Sequence, residues 1–223
     1  PQTFYLAGKI HSEDDLAKAL APYVLHMQKD IASLPDELSY RTGAGFQHLD
    51  KLSISEYLQS VGVNGWLFDF LDVLMTREYG MDIDQQSAIN FLMMFQAPSA
   101  GQEGYKLFGE GHEVFRIKGG TMKLTDTLYS RIKDQVNLSH RLTAINKRSS
   151  GQGYALEFFT GGKTTVIEAD YVITTIPFTV LRSIPINIEM PAGKRRCIDE
   201  LGYGNSSKFV MGFDSKPWRK QKR

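Results

Sequence analysis

"FRIKGGTMKLTDTLYSRI", Phe115 to Ile132, sets two adjacent glycines between a strand-like piece and an amphipathic one. Paired glycines cost backbone entropy, and a chain keeps them where a side chain would collide with something. After the pair, Leu124, Leu128 and Ile132 recur four apart, the spacing of one helix face. A helix opening there turns free backbone N–H groups toward whatever lies against Gly119 and Gly120. On the residues alone, the pair is a helix start after a loop.

Downstream of this helix the texture is that of strands. "VNLS" predicts a short strand, and "RLTAINKR", "YALEFFT" and "TTVIEA" predict three more. The last three are joined by "SSGQG" and "GGK", which is hairpin chemistry, so they form an antiparallel meander. "DYVITTIP" is a continuous β-branched run ending at Pro177, the pattern of a strand buried on both faces in a parallel sheet. "PFTVLRSI" predicts a short helix with proline at its first position. "PAGKRRCIDELG" predicts another helix, and "SSKFVMGF" a last strand.

Upstream the pattern is helical. "HSEDDLAKALAPYVLHMQKDIASL" is amphipathic with Ser12 as N-cap, and Pro22 is expected to kink or divide it. "SISEYLQSVG" opens with a capping box, Ser53 with Glu56, and ends at Gly62. "GWLFDFLDVLMTREYG" stops at Gly80, and "DQQSAINFLMMFQ" is expected to start at Asp84. A glycine-rich loop then spans residues 97 to 113, and a loop of that length is usually functional or mobile.

The 223 residues carry a net charge of +1, which suits one large or two small domains and gives no nucleic-acid footprint. The single cysteine, Cys197, allows no internal disulfide and leaves the compartment open, cytoplasmic or exported. No apolar run reaches the length of a membrane span, and the first residues show no signal-peptide pattern. The basic "KPWRKQKR" at the far end is the kind of run that stays solvated. The glycine pairs at Gly43, Gly109 and Gly151 lack the strand–glycine–helix context of a dinucleotide fingerprint. The five histidines fall at no metal-ligand spacing, so no metal is expected.

Five pieces occur in order: "RIKGGTMKL", "NLSHRLTAI", "EADYVITTIPFTVLRSI", "LGYGNSSKFVMGF" and "KPW". In that order and spacing they resemble the central portion of the flavin-containing amine oxidase family, which includes monoamine, L-amino-acid and polyamine oxidases. "FLDVLMTREYGMDIDQQSAINFL" resembles the family's helical substrate region less sharply. The glycine-rich FAD fingerprint of the family and its flavin-covering last segment are not in this sequence, so the resemblance is to an interior piece. It implies an α/β fold, α+β in the isolated chain. Residues 1–113 would be a mainly helical part of the substrate domain, 114–184 the middle of the FAD-binding domain with the meander, and 185–223 a return to the substrate domain.

The resemblance implies an FAD-dependent oxidase that deaminates an amine or amino acid, with oxygen as second substrate and hydrogen peroxide as product. Two alternatives stay open: a flavin desaturase on the same fold, and a non-catalytic fragment that pairs with a partner. By resemblance Gly119 and Gly120 lie beside the flavin, while Met122 and Lys123 face the substrate side. Leu142 matches a residue whose backbone meets the adenine of FAD, and Thr175 and Pro177 match a loop near the cofactor. Lys208 matches a catalytic lysine held near the flavin N5 through a water. Tyr79, Phe91 and Phe95 are candidates for the amine cavity, though their helical spacing also fits a core. Without the fingerprint, the chain alone is expected to purify without stoichiometric FAD and to self-associate through its second half.

Overall fold

The computed structural model describes residues 3–35, 37–39, 45–94 and 115–216. The glycine-rich loop at 97–113, Phe95 and Trp218 lie outside the described residues. The chain divides into two compact units, one made of Pro1–His112 with Gly204–Arg223, the other of Glu113–Tyr203.

The first unit opens with a hairpin that the sequence pattern did not suggest: β1 (Thr3–Leu6) pairs antiparallel with β2 (Lys9–Ser12). Ala7 and Gly8 both take positive φ, as a two-residue hairpin turn requires. Ser12 then caps α1 (Glu13–Ala32) in a full box: its hydroxyl accepts from the Asp15 N–H at 3.2 Å, and its own N–H donates to the Asp15 carboxylate at 2.9 Å. Helix α1 runs undivided through Pro22, so of the expected kink or division the division does not occur. Pro22 and Lys18 both face solvent, so water can take the carbonyl that loses its donor. On the opposite side Leu16, Leu20 and Met27 are buried and hold the helix together.

Four more helices lie in this unit among the described residues: α2 (Gln47–Asp50), α3 (Ile54–Ser60), α4 (Gly65–Tyr79) and α5 (Ala88–Met94). The Ser53–Glu56 box opens α3 as expected. Gly80 ends α4 at φ +73°, its N–H donating to the Thr76 carbonyl at 2.8 Å, the left-handed stop that only glycine makes without strain. Helix α5 starts at Ala88 rather than Asp84. The reason lies in α3, whose unpaired N-terminal amides take the carbonyls ahead of α5: Ile54 N–H donates to Gln86 O and Ser55 N–H to Ile83 O. A core of Leu20, Met27, Ile54, Leu58, Leu71, Met75 and Leu92 fills the space between these helices. Tyr57, also buried, donates its hydroxyl to Asp30 at 2.7 Å.

The second unit contains α6 (Met122–Ile132), a 3-10 turn at Lys133–Gln135, and the meander β3 (Arg141–Lys147), β4 (Tyr154–Thr160) and β5 (Lys163–Ala169). Helices α7 (Phe178–Leu181) and α8 (Ala192–Glu200) follow, with β6 (Ile186–Asn187) between them. The meander is as expected, but β6 adds a parallel partner to β3, giving the order β5-β4-β3-β6. Side chains cross-link the sheet: Asn187 donates to Asn146 at 2.7 Å, and Asn146 to Glu157 at 2.9 Å.

Four expected strands are not strands. Phe115–Lys118, the "VNLS" piece, the "DYVITTIP" run and the "SSKFVMGF" piece have no ladder partner among the described residues. Tyr171 and Ile173 are each 90% exposed instead of buried. A strand exists only through its neighbour's hydrogen bonds, and β-branched composition does not supply that neighbour.

Candidate functional site

The glycine pair begins with a turn. Gly120 N–H donates to Ile117 O at 3.0 Å, closing a four-residue turn whose third residue is Gly119. Gly119 and Gly120 both have φ +90°. A type II turn demands positive φ at its third residue, which accounts for Gly119, and Gly120 is selected by its own φ. Conformation is therefore a sufficient reason for both glycines, and the collision expected from the sequence is not needed. A Cβ on Gly120 would meet nothing within 4 Å, and one on Gly119 only the Lys123 side chain at 3.7 Å. The pair thus presents open backbone at the start of α6. Met122, 72% exposed, and Lys123 stand on the first turn of that helix, which buries none of its residues.

Leu142 is half-buried on β3, opposite Phe158. The ladder slips between Leu142 and Ala144, leaving Thr143 as the extra residue of a bulge, its hydroxyl donating to Glu157 O at 3.1 Å. A bulge bends the strand locally and re-aims its groups. Beside it, the Arg141 guanidinium lies 5.3 Å above the Phe159 ring.

Thr175 and Pro177 are exposed at the end of the β-branched run. Pro177 is the N-cap of α7 rather than its first residue, and it offers no side-chain acceptor. The acceptor comes from a residue that the sequence pattern did not single out: Phe178 N–H donates to the Tyr203 hydroxyl at 3.0 Å. At the other end of α7, Leu181 is buried and Arg182 donates to the carbonyls of Ile198 and Leu201 on and after α8. The only trace of Tyr203 in the sequence is its place between two glycines in "LGYGNSS".

In the first unit, Tyr79 is the last residue of α4 and Phe91 lies on α5. The Tyr79 hydroxyl donates to Asn90 O at 3.4 Å, next to Phe91, which packs against Tyr57 at 6.2 Å between ring centroids. Burial first, and the Glu78 charge second, push the Tyr79 hydroxyl above its ordinary value, so it stays a neutral donor. Phe91 is a core residue, 2% exposed. The stretch leading to Lys208 docks here as well: Asn205 N–H donates to Gly80 O at 2.7 Å. Gly204 lies so close that a Cβ would meet the Tyr79 carbonyl oxygen at 2.6 Å. Lys208 itself is exposed, in a stretch without helix or strand, and forms no ion pair with the described residues. No group of three metal-ligating side chains occurs among the described residues, and no helix there is long and apolar enough to cross a membrane.

The L-glutamate oxidase precursor of Streptomyces viridosporus is 26% identical over 133 residues, 52% of this chain and 20% of the relative. The flavin-dependent L-tryptophan oxidase RebO of Lentzea aerocolonigenes is 26% identical over 107 residues, 48% of this chain and 22% of the relative. Wild-type putrescine oxidase bound to putrescine superposes with a TM-score of 0.66 at 15% identity, over 91% of this chain and 46% of that one, a likeness of fold. The chain spans about a fifth of the length of these two curated relatives. The family model described as flavin containing amine oxidoreductase matches residues 5–223. With nearly its whole length inside that match, and with an oxidase fold, the chain belongs to the flavin-containing amine oxidoreductases.

Proposed function

We propose that this chain is the central portion of an FAD-dependent oxidase that deaminates an amine or amino acid and releases hydrogen peroxide. The observation that carries this reading is the family match over residues 5–223. The names of the relatives, glutamate, tryptophan and putrescine oxidases, agree on a substrate bearing an amine and differ on a carboxylate beside it.

The residues present fit a flat cofactor. A Cβ on Gly120 would meet nothing within 4 Å beyond its chain neighbours, so a planar group can approach backbone there. In this reading Gly119 and Gly120 would hold the flavin side, Leu142 the adenine end through its backbone, and the Thr175–Pro177 turn a further edge. FAD, when bound, supplies the two-electron acceptor for the carbon bearing the amine, while the protein supplies position and electrostatics. Met122 and Lys123 stand toward substrate, and Tyr79 lines the amine's approach. Phe91 acts from the core, next in the chain to Asn90, whose carbonyl the Tyr79 hydroxyl meets. Lys208 holds a positive charge, or the water it orders, where negative charge develops. We assign residues 1–113 and 185–223 to the substrate domain and 114–184 to the FAD-binding domain. The bare apolar residues of α6 and of the Tyr171–Ile173 run favour self-association of the chain on its own.

The test is the full-length protein with FAD, assayed for amine-dependent peroxide over a panel of amines and amino acids. A protein that binds flavin yet oxidises none of the panel overturns the reading. Within an active enzyme, Lys208→Met should slow reoxidation of the reduced flavin by about 10²–10³-fold, read by stopped-flow absorbance, with amine affinity little changed. Reoxidation unchanged within about threefold, against that expected loss of one preorganised donor, would reduce Lys208 to a solvated surface residue.

A further inference from the structure

We infer that Tyr203 is a positioning residue for the cofactor, acting through the Pro177–Phe178 turn; the inference rests on the proposed function. Three observations converge on that turn. Pro177 as N-cap has no side-chain acceptor and no N–H, so α7 begins with amides that its own cap does not satisfy. Val180 and Leu181 return their N–H groups to the Pro177 carbonyl at 2.9 Å, which fixes the inside of the helix but not its entry. The Tyr203 hydroxyl accepts the first free amide, that of Phe178, at 3.0 Å.

The rest of α7 is already fixed. Leu181 and Ile198 are buried, and Arg182 donates twice to carbonyls at the end of α8. The following Pro185 carbonyl accepts from Ile145 on β3 at 2.9 Å, tying the exit to the sheet. Among the described residues, the entry of α7 has the Tyr203 hydroxyl as its one hydrogen-bonding partner from outside the helix. Deleting that acceptor frees the end of α7 that carries Pro177 and leaves the end held by Arg182 in place. A residue of purely structural value would show its effect in global stability. Tyr203 is instead placed to act on one turn, the one the proposed function gives to the cofactor.

The experiment is Tyr203→Phe, which keeps the ring and removes only the hydroxyl. In the chain itself, amide exchange at Phe178 should quicken about five- to tenfold, the value of one neutral hydrogen bond, with Leu181 unchanged. In the full-length protein the same variant should weaken FAD binding by at least about threefold, a part of that bond's worth, and shift the flavin absorbance band at an unchanged melting temperature. Unchanged exchange at Phe178 overturns the contact. Faster exchange with unchanged FAD affinity and flavin spectrum overturns the positioning role and leaves a helix cap. A wild-type full-length protein that takes up no flavin overturns the proposed function, a result distinct from either of these.

Discussion

The helical unit closes its own core, and the sheet unit does not. In the first, long side chains from every helix, such as Leu20, Ile54, Leu71 and Leu92, are fully or almost fully buried. In the second, the buried apolar residues are Ala144, Ile145, Leu181 and Ile198, and the amphipathic α6 buries none. Complete capping boxes occur on α1 and α3, whereas α2, α4, α6, α7 and α8 have no side-chain cap of their own. Hydrophobic burial is the main favourable term in folding, so the stability of this chain resides in the helical unit. The sheet unit carries an apolar pattern that the described residues leave exposed.

The sharpest attempt to break this contrast is a matched pair of truncations. Phe91→Ala, in the helical core at 2% exposure, should cost about 3–5 kcal/mol. Leu128→Ala, on the bare face of α6 at 54% exposure, should stay within about 0.5 kcal/mol. Urea unfolding of both variants measures the difference, and equal losses would erase the distinction between the units. Next in size is Gly204→Ala, which forces a Cβ against the Tyr79 carbonyl and should cost about 1–3 kcal/mol by overpacking, seen in the same urea midpoint. Ser53→Ala removes one capping box and should cost about 1 kcal/mol, with the far-ultraviolet signal of the helical unit melting earlier.

The smallest effect is a pH dependence. Glu56 accepts the Ser53 N–H at 2.8 Å, and that bond, with the serine hydroxyl behind it, lowers the carboxyl below its ordinary 4.5. A carboxylate with a lowered folded value contributes stability that is fully present above 4.5 and is lost as pH falls through that lowered value. The urea midpoint of the wild type should therefore drop below pH 4.5, and Glu56→Gln should flatten part of that drop. A Glu56→Gln protein with the wild-type slope would show that the box carries no measurable proton linkage.

Legibility followed the range of the interaction. The Ser53–Glu56 box and the stop at Gly80 are local, and the meander is set by its glycine turns; all were readable from the residues. The start of α5 was not, because the carbonyls of Ile83 and Gln86 are claimed by amides at Ser55 and Ile54, far back in the chain. The two-residue β6 was too short for any pattern, and the Tyr171–Ile173 run has strand composition without a strand's neighbour. For the glycine pair, the backbone angles are a sufficient reason that the sequence reading did not weigh. In the candidate site, positions came by family resemblance, while Tyr203 stayed hidden because its partner Phe178 lies in another element.

The close crossing of Gly204 over Tyr79 and Gly80 also sets the order in which this protein can be finished during synthesis. The helices between Glu13 and Met94 emerge first, yet the stretch that seats on the end of α4 emerges only after the whole of the sheet unit has left the ribosome. Until then the open carbonyl of Gly80 has only water to bond. A cut between the units at His112 and Glu113 would leave that end of α4 permanently in this nascent condition. A faithful excision of the helical unit therefore keeps residues 204–206.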